Sequence, residues 1–323
     1  MDCGSINCDC SIGDTVCDTD VNPCQHDDDD FSGLPPLDMP ASIFDVVDCS
    51  SVSTLSPGQQ EKLSSLGYTK CCTAGPASVL VTGTSDYPDS YLITTCNIIA
   101  ELVDVDLDGS ADNEAVLSGI SFERNPLPPV VHGAPTQEQE SVGDYLEDGE
   151  NFAYAFSLQS WHYRDNHDGD VRRVLVEEVF HMMTEFGWGP AYPDLFGSED
   201  FTSSLMCREM ASAECVNWLH PENVCQDVGT HEQPPLNGTC AEANCDCVEW
   251  FQQVALILSD NVPGWHSNLI PSTKEELRST LSQEFLNVMD DPFYAMPNKV
   301  FTYEYTAHIS TLTTGDITAG STW

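Results

Sequence analysis

The stretch VRRVLVEEVFHMMTEFG, residues 171–187, carries the strongest structural signal in this sequence. At 100° per residue, its apolar side chains cover more than half of the helix circumference. The pattern predicts a mostly buried helix with one polar stripe of three carboxylates, a hydroxyl and an imidazole. The residues of this stripe are Glu177, Glu178, His181, Thr184 and Glu185.

The polar stripe is a candidate site, because ionisable groups on a buried helix are costly unless they are paired, hydrogen-bonded or bound to a metal. Glu177 and His181 are four residues apart and therefore share a face of the helix. The sequence Asp168-Gly-Asp170 predicts a turn and an N-cap before the helix, and Gly187 predicts its end.

The composition limits the class of protein. A chain of 323 residues can bury a sizeable core, as one large domain or two modest ones. Lys and Arg number 10 against 53 Asp and Glu, which gives a net charge of −43 at pH 7. This charge repels nucleic acid and anionic membranes, so we expect neither as a partner. It suits divalent cations, a calcium-held assembly or a high-salt medium, and adaptation to saline surroundings is the plain alternative.

The cysteines indicate the compartment. Fifteen cysteines, many in contexts rich in Asn, Asp, Gly and Pro, predict disulfides and an oxidising environment. Their odd number leaves at least one free thiol, interchain bridge or metal ligand. Asn237-Gly-Thr239 predicts a glycosylation site, and no apolar run has transmembrane length. The cysteines and the sequon lead us to expect a secreted, extracellular protein. No signal peptide precedes Asp2, so we expect that the leader has been removed or lies outside this sequence.

A second motif, DVDLDGSADNE at residues 104–114, has the spacing of an EF-hand-type calcium loop. Carboxylates stand at loop positions 1, 3, 5 and 9, and the glycine at position 6 permits the turn that lets them converge. Position 12 is Ala115, so the bidentate ligand would come from one residue earlier or from elsewhere in the fold. The flanks do not have good helical patterns, so we expect a lone loop; an acidic surface turn is the alternative. The candidate calcium ligands are Asp104, Asp106, Asp108, Asp112 and Glu114.

Residues 151–260 have the order strand, helix with Glu-Glu-x-x-His, aromatic loop (WGPAYPDLFG, 188–197) and a further helix with a glutamate. This order resembles the zincin metallopeptidases, and more closely the gluzincin branch, whose helix carries His-Glu-x-x-His. The resemblance implies that Glu178 is the general base and that His181 is the second histidine ligand. Glu177 stands where the family has its first histidine ligand, which is the point of departure.

The gluzincin resemblance also implies a glutamate ligand from the next helix. Glu209 is our first choice for this ligand, with Glu214 and Glu249 as rivals. The cofactor would be zinc or another divalent transition metal. Two carboxylates and one imidazole place more negative charge on the metal than two imidazoles do. Harder ions such as manganese, iron or calcium therefore become more competitive with zinc.

Two alternatives to a mononuclear metal site remain open for the polar stripe. Glu177 and His181 can form a satisfied pair that faces a cleft in a fold without the metal. Glu178-x-x-His181 is also the half-motif of a ferritin-like di-metal centre, but the sequence has no second Glu-x-x-His to complete it.

We expect an α+β fold with a metallopeptidase-like core, in which helices pack on a mixed or antiparallel sheet and the loops are rich in disulfides. The adjacent Cys71 and Cys72 should tie two different elements together. The expected regions are an acidic Cys-rich extension (1–30), a strand and loop region with the calcium loop (31–150), a helical metallopeptidase-like region (151–298), and a C-terminal strand and tail (299–323). Strands are predicted at 77–84, 91–99, 151–164 and 299–313, and further helices at 56–66, 202–218, 247–259 and 272–289, the last with Ser272 and Glu275 as a capping box.

Two hypotheses of function follow. The first is a secreted, calcium-binding, zincin-like hydrolase that acts on peptide substrates, with an altered first metal ligand that also allows an inactive form. The second is an extracellular, calcium-stabilised structural or matrix protein that keeps the same fold without catalysis. It would self-associate into filaments through the C-terminal strand or the N-terminal Cys-rich segment. An open cleft at His181 favours the first hypothesis.

Overall fold

The computed structural model describes residues 34, 37–75, 77–160, 171–199, 204–210, 243–261 and 273–306. Contacts divide the chain into two compact units, Met1–Leu34 and Pro35–Trp323, and every described residue except Leu34 belongs to the second. The predicted N-terminal extension, the sequon at Asn237 and residues 307–323 lie outside the described residues. Within the described part of the chain, no helix is long and apolar enough to cross a membrane.

The second unit contains a five-stranded mixed sheet whose strands lie side by side in chain order. The first two pairings are antiparallel and the last two are parallel. The expected α+β class is therefore confirmed. The sheet draws strands from both sides of residue 150, so the boundary expected there does not separate compact units. The strands are β1 (Val47–Asp48), β2 (Tyr68–Ala74), β3 (Val79–Thr84), β4 (Val130–Gly133) and β5 (Ala155–Ser157).

Helices cover both faces of the sheet and form a second packed region with one another. The α-helices are α1 (Pro57–Ser65), α2 (Asp89–Val103), α3 (Glu114–Ile120), α4 (Gln137–Ser141), α5 (Arg172–Met182), α6 (Gly189–Ala191), α7 (Pro193–Phe196), α8 (205–210), α9 (Ala243–Leu258), α10 (Lys274–Arg278) and α11 (Gln283–Met289). Short 3-10 turns occupy Cys49–Ser51, Gly143–Leu146 and Pro292–Tyr294, and α5 continues as a π-helix over Met183–Trp188.

The adjacent cysteines of β2 join its two faces to different elements. Successive side chains of a strand point to opposite faces. Cys71 accordingly bonds to Cys49 in the 3-10 turn, while Cys72 bonds to Cys96 in α2. The prediction that these two cysteines tie different elements together is confirmed.

The predicted strand at 91–99 is wrong, because these residues belong to α2. Every residue from Ser90 to Val103 is buried. A helix that is buried on all sides has no exposed polar face, and a short window of it cannot be told from a buried strand by periodicity. Its start has its own signal, since Pro88 is the N-cap and Asp89 lies in the first turn, where a carboxylate offsets the helix dipole.

Other local predictions divide between confirmed and wrong. The helix at 56–66 is α1, with Ser56 as N-cap and a capping box to Gln59. The strand at 77–84 is β3, and the helix at 247–259 is α9. The strand predicted for 151–164 spans only β5 in the described part, and β2 was not predicted. The predicted helix at 202–218 is helical at 205–210, and its remaining residues lie largely outside the described ones.

The C-terminal region also differs from expectation. The helix predicted at 272–289 is interrupted, because Thr273 caps α10 and Ser282 caps α11 by accepting backbone N–H groups. The predicted Ser272 and Glu275 box is therefore wrong by one residue. The described part of the predicted strand at 299–313 contains only an isolated bridge between Tyr305 and Ser42.

Candidate functional site

The polar stripe of α5 meets α9 at a cluster of carboxylates around one imidazole. Ligand atoms of Glu177, His181 and Glu249 all lie within 4.8 Å of one another. His181 Nε2 is 3.4 Å from Glu249 Oε2, and His181 Nδ1 is 4.0 Å from Glu178 Oε2. Three of these four residues come from the predicted stripe, and the fourth comes from a helix distant in sequence.

Apolar packing holds the two helices at this distance. The buried side of α5 includes Phe180, whose ring lies 5.7 Å from that of Phe251 in α9. A disulfide between Cys207 and Cys247 links α8 to α9. Cys247 precedes Glu249 by only two residues. The position of the Glu249 carboxylate is therefore fixed by a covalent link and by aromatic contacts.

The prediction that the helix ends at Gly187 is wrong, because the helix continues through this residue. The π-helix Met183–Trp188 packs against α3, where Gly119 lies directly beside the backbone of Phe186. A Cβ at Gly119 would lie 1.8 Å from the Phe186 carbonyl oxygen, so only glycine fits there. Gly187 is itself packed against Val116 and is not a helix-ending residue. π-Helical turns within α-helices are frequent at functional sites.

A cleft of about 460 Å³ opens above the carboxylate cluster. Its walls are β5 with its neighbours, the polar stripe of α5, the start of α9 and one residue of the 3-10 turn Gly143–Leu146. The lining residues are Asp144, Tyr154, Ala155, Phe156, Ser157, Gln159, Glu178, His181, Glu185, Cys245, Val248 and Glu249. Glu177 completes the ligand group from beneath without lining the cleft.

The β5 wall of this cleft is an edge of the sheet. Towards β4, the carbonyl of Tyr154 accepts a backbone hydrogen bond of 3.0 Å and the N–H of Leu158 donates one of 2.8 Å. In a parallel ladder, alternate residues direct their backbone groups to the partner strand. The N–H and C=O groups of Ala155 and Ser157 therefore point away from β4, and no other strand of the described chain pairs with them.

The electrostatics of the cluster follow from burial and an excess of carboxylates. Burial and the charge of Glu249 raise the pKa of Glu177 to about 7, and burial raises the pKa of Glu178 well above its usual value. Burial opposes the charged form of His181, but the neighbouring carboxylates, Glu249 first, outweigh it and raise its pKa to about 10. Glu249 also resists ionisation through burial, yet His181 lowers its pKa. One imidazole thus faces several carboxylates, and this excess of negative charge is a setting that stabilises a cation, whether a proton on His181 or a divalent metal in its place.

The residues present fit a divalent metal. His181 Nε2 is buried and has no hydrogen-bond partner, because its contact with Glu249 lies outside hydrogen-bond geometry. A buried ring nitrogen whose nearest partner is a carboxylate oxygen outside hydrogen-bond geometry is a costly arrangement without a further partner. One imidazole nitrogen and two carboxylate oxygens are a donor set that zinc, manganese and iron accept. Either the group of three or the aspartates of the second motif could hold an ion.

Glu209, the first choice for the downstream glutamate, is not brought to this cluster. Its carboxylate accepts a 2.5 Å hydrogen bond from the backbone of Ser282 and thereby fixes the start of α11. Its rival Glu249 takes the place beside His181, and Glu214 lies outside the described residues. The only sequence signal for Glu249 was its place near the start of a strongly apolar helix. The packing of the helices decides which of the candidate glutamates lies beside His181, and the sequence does not show this packing.

The aspartate motif forms a closed loop between α2 and α3. Oxygens of Asp104, Asp106 and Asp108 lie within 4.8 Å of one another. Buried Asp104 accepts hydrogen bonds from the N–H groups of Asp108 (3.0 Å) and Gly109 (2.8 Å). Gly109 has a φ of 92°, so the turn at loop position 6 needs glycine as predicted. The expectation that the loop lacks flanking helices is wrong, since α2 ends just before it and α3 begins at its end.

The remaining predicted calcium ligands lie elsewhere. Asp112 closes the loop by accepting a 2.6 Å hydrogen bond from the N–H of Val105, and it is not among the three grouped aspartates. Glu114 is the first residue of α3 and forms an exposed ion pair with Arg124. Its carboxylate is therefore engaged away from the loop, because the helix starts at residue 114 and turns this side chain outward.

No family model, curated protein or solved structure matches this chain. The resemblance to zincins accordingly rests on the sequence motif alone.

Proposed function

We propose that this protein is a secreted, calcium-binding, metal-dependent hydrolase that cleaves peptide bonds. The observation that carries the proposal is the group of Glu177, His181 and Glu249, of which His181 and Glu249 line a cleft together with Glu178. A cleft open at His181 is the feature that separates this proposal from a non-catalytic structural role.

In the proposed reaction Glu177, His181 and Glu249 would hold a divalent transition metal. When bound, such a metal polarises a carbonyl group and acidifies a water molecule. Glu178 lines the cleft, and burial raises the pKa of its carboxyl group well above the usual value, which makes its conjugate base a stronger proton acceptor. It accepts a proton from the water whose oxygen adds to the carbonyl carbon. It then donates this proton to the amine nitrogen as the C–N bond breaks.

Peptides are the substrates that the cleft suits best. The outward N–H and C=O groups of Ala155 and Ser157 offer pairing positions for an extended chain along one wall. Main-chain hydrogen bonds to an exposed sheet edge are a general mode of peptide binding. A peptide held there lies alongside Glu178 and His181, which line the same cleft.

Calcium and secretion complete the proposal. We assign calcium to Asp104, Asp106 and Asp108, in a loop held closed by backbone hydrogen bonds to Asp104. We give calcium a structural role, because the loop anchors a distant part of the chain. The hydroxyl of Tyr305 donates a hydrogen bond to Asp104, and the ammonium of Lys299 donates one to the Val105 carbonyl. The three disulfides described support an oxidising, extracellular location.

The test is peptide hydrolysis by the purified full chain, after metal loading and with a quenched-fluorescent peptide mixture. We expect Glu178→Gln to abolish turnover and keep the metal, and His181→Ala to lose both. Glu138→Gln, an exposed change in α4, is the matched control and should behave as wild type. If calcium were the only bound metal, if neither substitution changed its content and if no peptide were cleaved, the proposal would be contradicted. The structural or matrix hypothesis would then be favoured.

A further inference from the structure

We infer that the cleft selects peptides with a basic side chain beside the bond that is cleaved, and that Asp144, Tyr154 and Glu185 recognise this side chain. The inference rests on the proposed function, because it names the substrate class of the same site. It depends on the charge of the cleft wall, on the aromatic surface of Tyr154 and on the edge of β5 with which no other strand of the described chain pairs.

The charge of the cleft is one-sided. Four carboxylates and one imidazole line it, and no lysine or arginine does so among the described residues. Glu178 and Glu249 lie within 4.0 Å of His181, whereas Asp144 and Glu185 are not among the grouped ligand residues. Burial raises the pKa of both outer carboxyl groups, and the charge of His181 opposes this effect at Glu185. The net charge left for a bound molecule to meet is negative, so an acidic peptide would be repelled and a basic one attracted.

The two outer carboxylates line the same cleft as the aromatic ring of Tyr154. Tyr154 is 41% exposed, and its ring lies 4.6 Å from that of Phe156 and 6.0 Å from that of Phe186. After burial, the charges that raise the pKa of Tyr154 are those of Glu185, then Glu147 and Glu178, and then Asp144. An aromatic face flanked by carboxylates is a setting that recognises guanidinium and ammonium groups through both cation–π and ionic contacts.

The sheet edge places a peptide's side chains against this surface. A chain that pairs with Ala155 and Ser157 directs alternate side chains to each face of the sheet. One face carries the rings of Tyr154 and Phe156. Both rings contact Phe186, the residue that follows the polar stripe in the chain. A basic residue on that face lies near Glu185, four residues and one helical turn beyond His181.

The experiment compares matched peptides in which arginine is replaced by citrulline, which has the same shape without the charge. We expect wild type to show a kcat/KM ratio of roughly tenfold or more in favour of arginine at one position, which corresponds to about one strong ion pair. Glu185→Gln and Asp144→Asn should each reduce this ratio at that position. Glu138→Gln, an acid outside the cleft, should leave it unchanged, which separates site recognition from attraction to the acidic surface as a whole.

A binding measurement makes the failure of each proposal distinguishable. Fluorescence anisotropy of both peptides with Glu178→Gln reports recognition without turnover. Hydrolysis with equal kcat/KM and equal binding of the two peptides would overturn this inference and leave the proposed function intact. Absence of hydrolysis with preferential, Glu185-dependent binding of the arginine peptide would support the recognition surface and contradict the hydrolase. A preference that Glu185→Gln, Asp144→Asn and Glu138→Gln all leave unchanged would also overturn the inference.

Discussion

At the scale of single residues, the chemistry of this protein is concentrated around His181. Its two ring nitrogens face carboxylates from two helices, at 4.0 Å from Glu178 and 3.4 Å from Glu249. The stripe that carries Glu177, Glu178 and His181 was predictable, because ionisable residues in an otherwise apolar helix stand out in the sequence. The partner Glu249 was not predictable as a first choice, because its approach depends on how α9 packs and on the Cys207–Cys247 link.

A second histidine allows a prediction on pH and stability. His132 is fully buried in β4, with Nδ1 3.1 Å from the hydroxyl of Tyr68, and burial lowers its pKa to about 3. The unfolded chain therefore binds a proton below pH 6.5 that the native state does not bind. The neutral, buried imidazole therefore contributes to stability in full above pH 6.5. This contribution is lost as the pH falls towards 3, and the folding equilibrium constant decreases by roughly tenfold for each pH unit.

The measurement is the free energy of unfolding in urea from pH 4 to pH 8, for wild type and His132→Asn. The difference between the two proteins should shrink as the pH falls below 6.5, because only wild type carries the buried imidazole. A difference that stays constant over this range would contradict the prediction.

At the scale of elements, the polar stripe depends on close contacts that few residues permit. Gly119→Ala should lower the free energy of unfolding by roughly 1–3 kcal/mol, because the added methyl group collides with the Phe186 carbonyl. Gly75→Ala is the matched control, since a Cβ there would meet nothing closer than 3.8 Å. Equal stability of the two variants in chemical denaturation would show that α3 and the π-helix do not meet in this way.

Disulfides provide a second test at this scale. Replacing Cys207 and Cys247 by serine should lower stability by about 3–4 kcal/mol, because the bond closes a loop with a sequence separation of 40. It should also weaken metal binding, because Glu249 follows Cys247 by two residues. Replacing Cys49 and Cys71 should lower stability to a similar extent and leave metal affinity unchanged. Unfolding in denaturant and metal titration of both variants separate the two effects, and equal metal affinities would contradict the assigned role of the bond.

The elements also show what sequence patterns can and cannot predict. Capped or amphipathic segments such as α1 and α5 were predicted at nearly their observed positions. The strand assignment for α2 failed because α2 is buried on every side and offers no periodic contrast. Residues 272–289 were assigned to one helix with a capping box at Ser272 and Glu275, whereas Thr273 and Ser282 each cap a separate helix in the structure.

At the scale of the whole molecule, the net charge of −43 opposes the compact state through self-repulsion. Calcium should therefore raise the melting temperature more than sodium chloride of equal ionic strength, because it binds the folded loop specifically as well as screening charge. Asp106→Asn should remove this excess and keep the response to sodium chloride. Differential scanning calorimetry in both salts tests this prediction, and a calcium response that Asp106→Asn leaves intact would exclude the loop as its source.

The most direct test of the metal centre is calorimetric titration of zinc and manganese into the chelator-treated protein. We predict that wild type binds one transition-metal ion per chain at this site and that Glu249→Gln weakens this binding at least tenfold. Glu209→Gln should bind as wild type, because Glu209 is engaged with Ser282 at the start of α11. Unchanged metal affinity in Glu249→Gln would contradict the site as described.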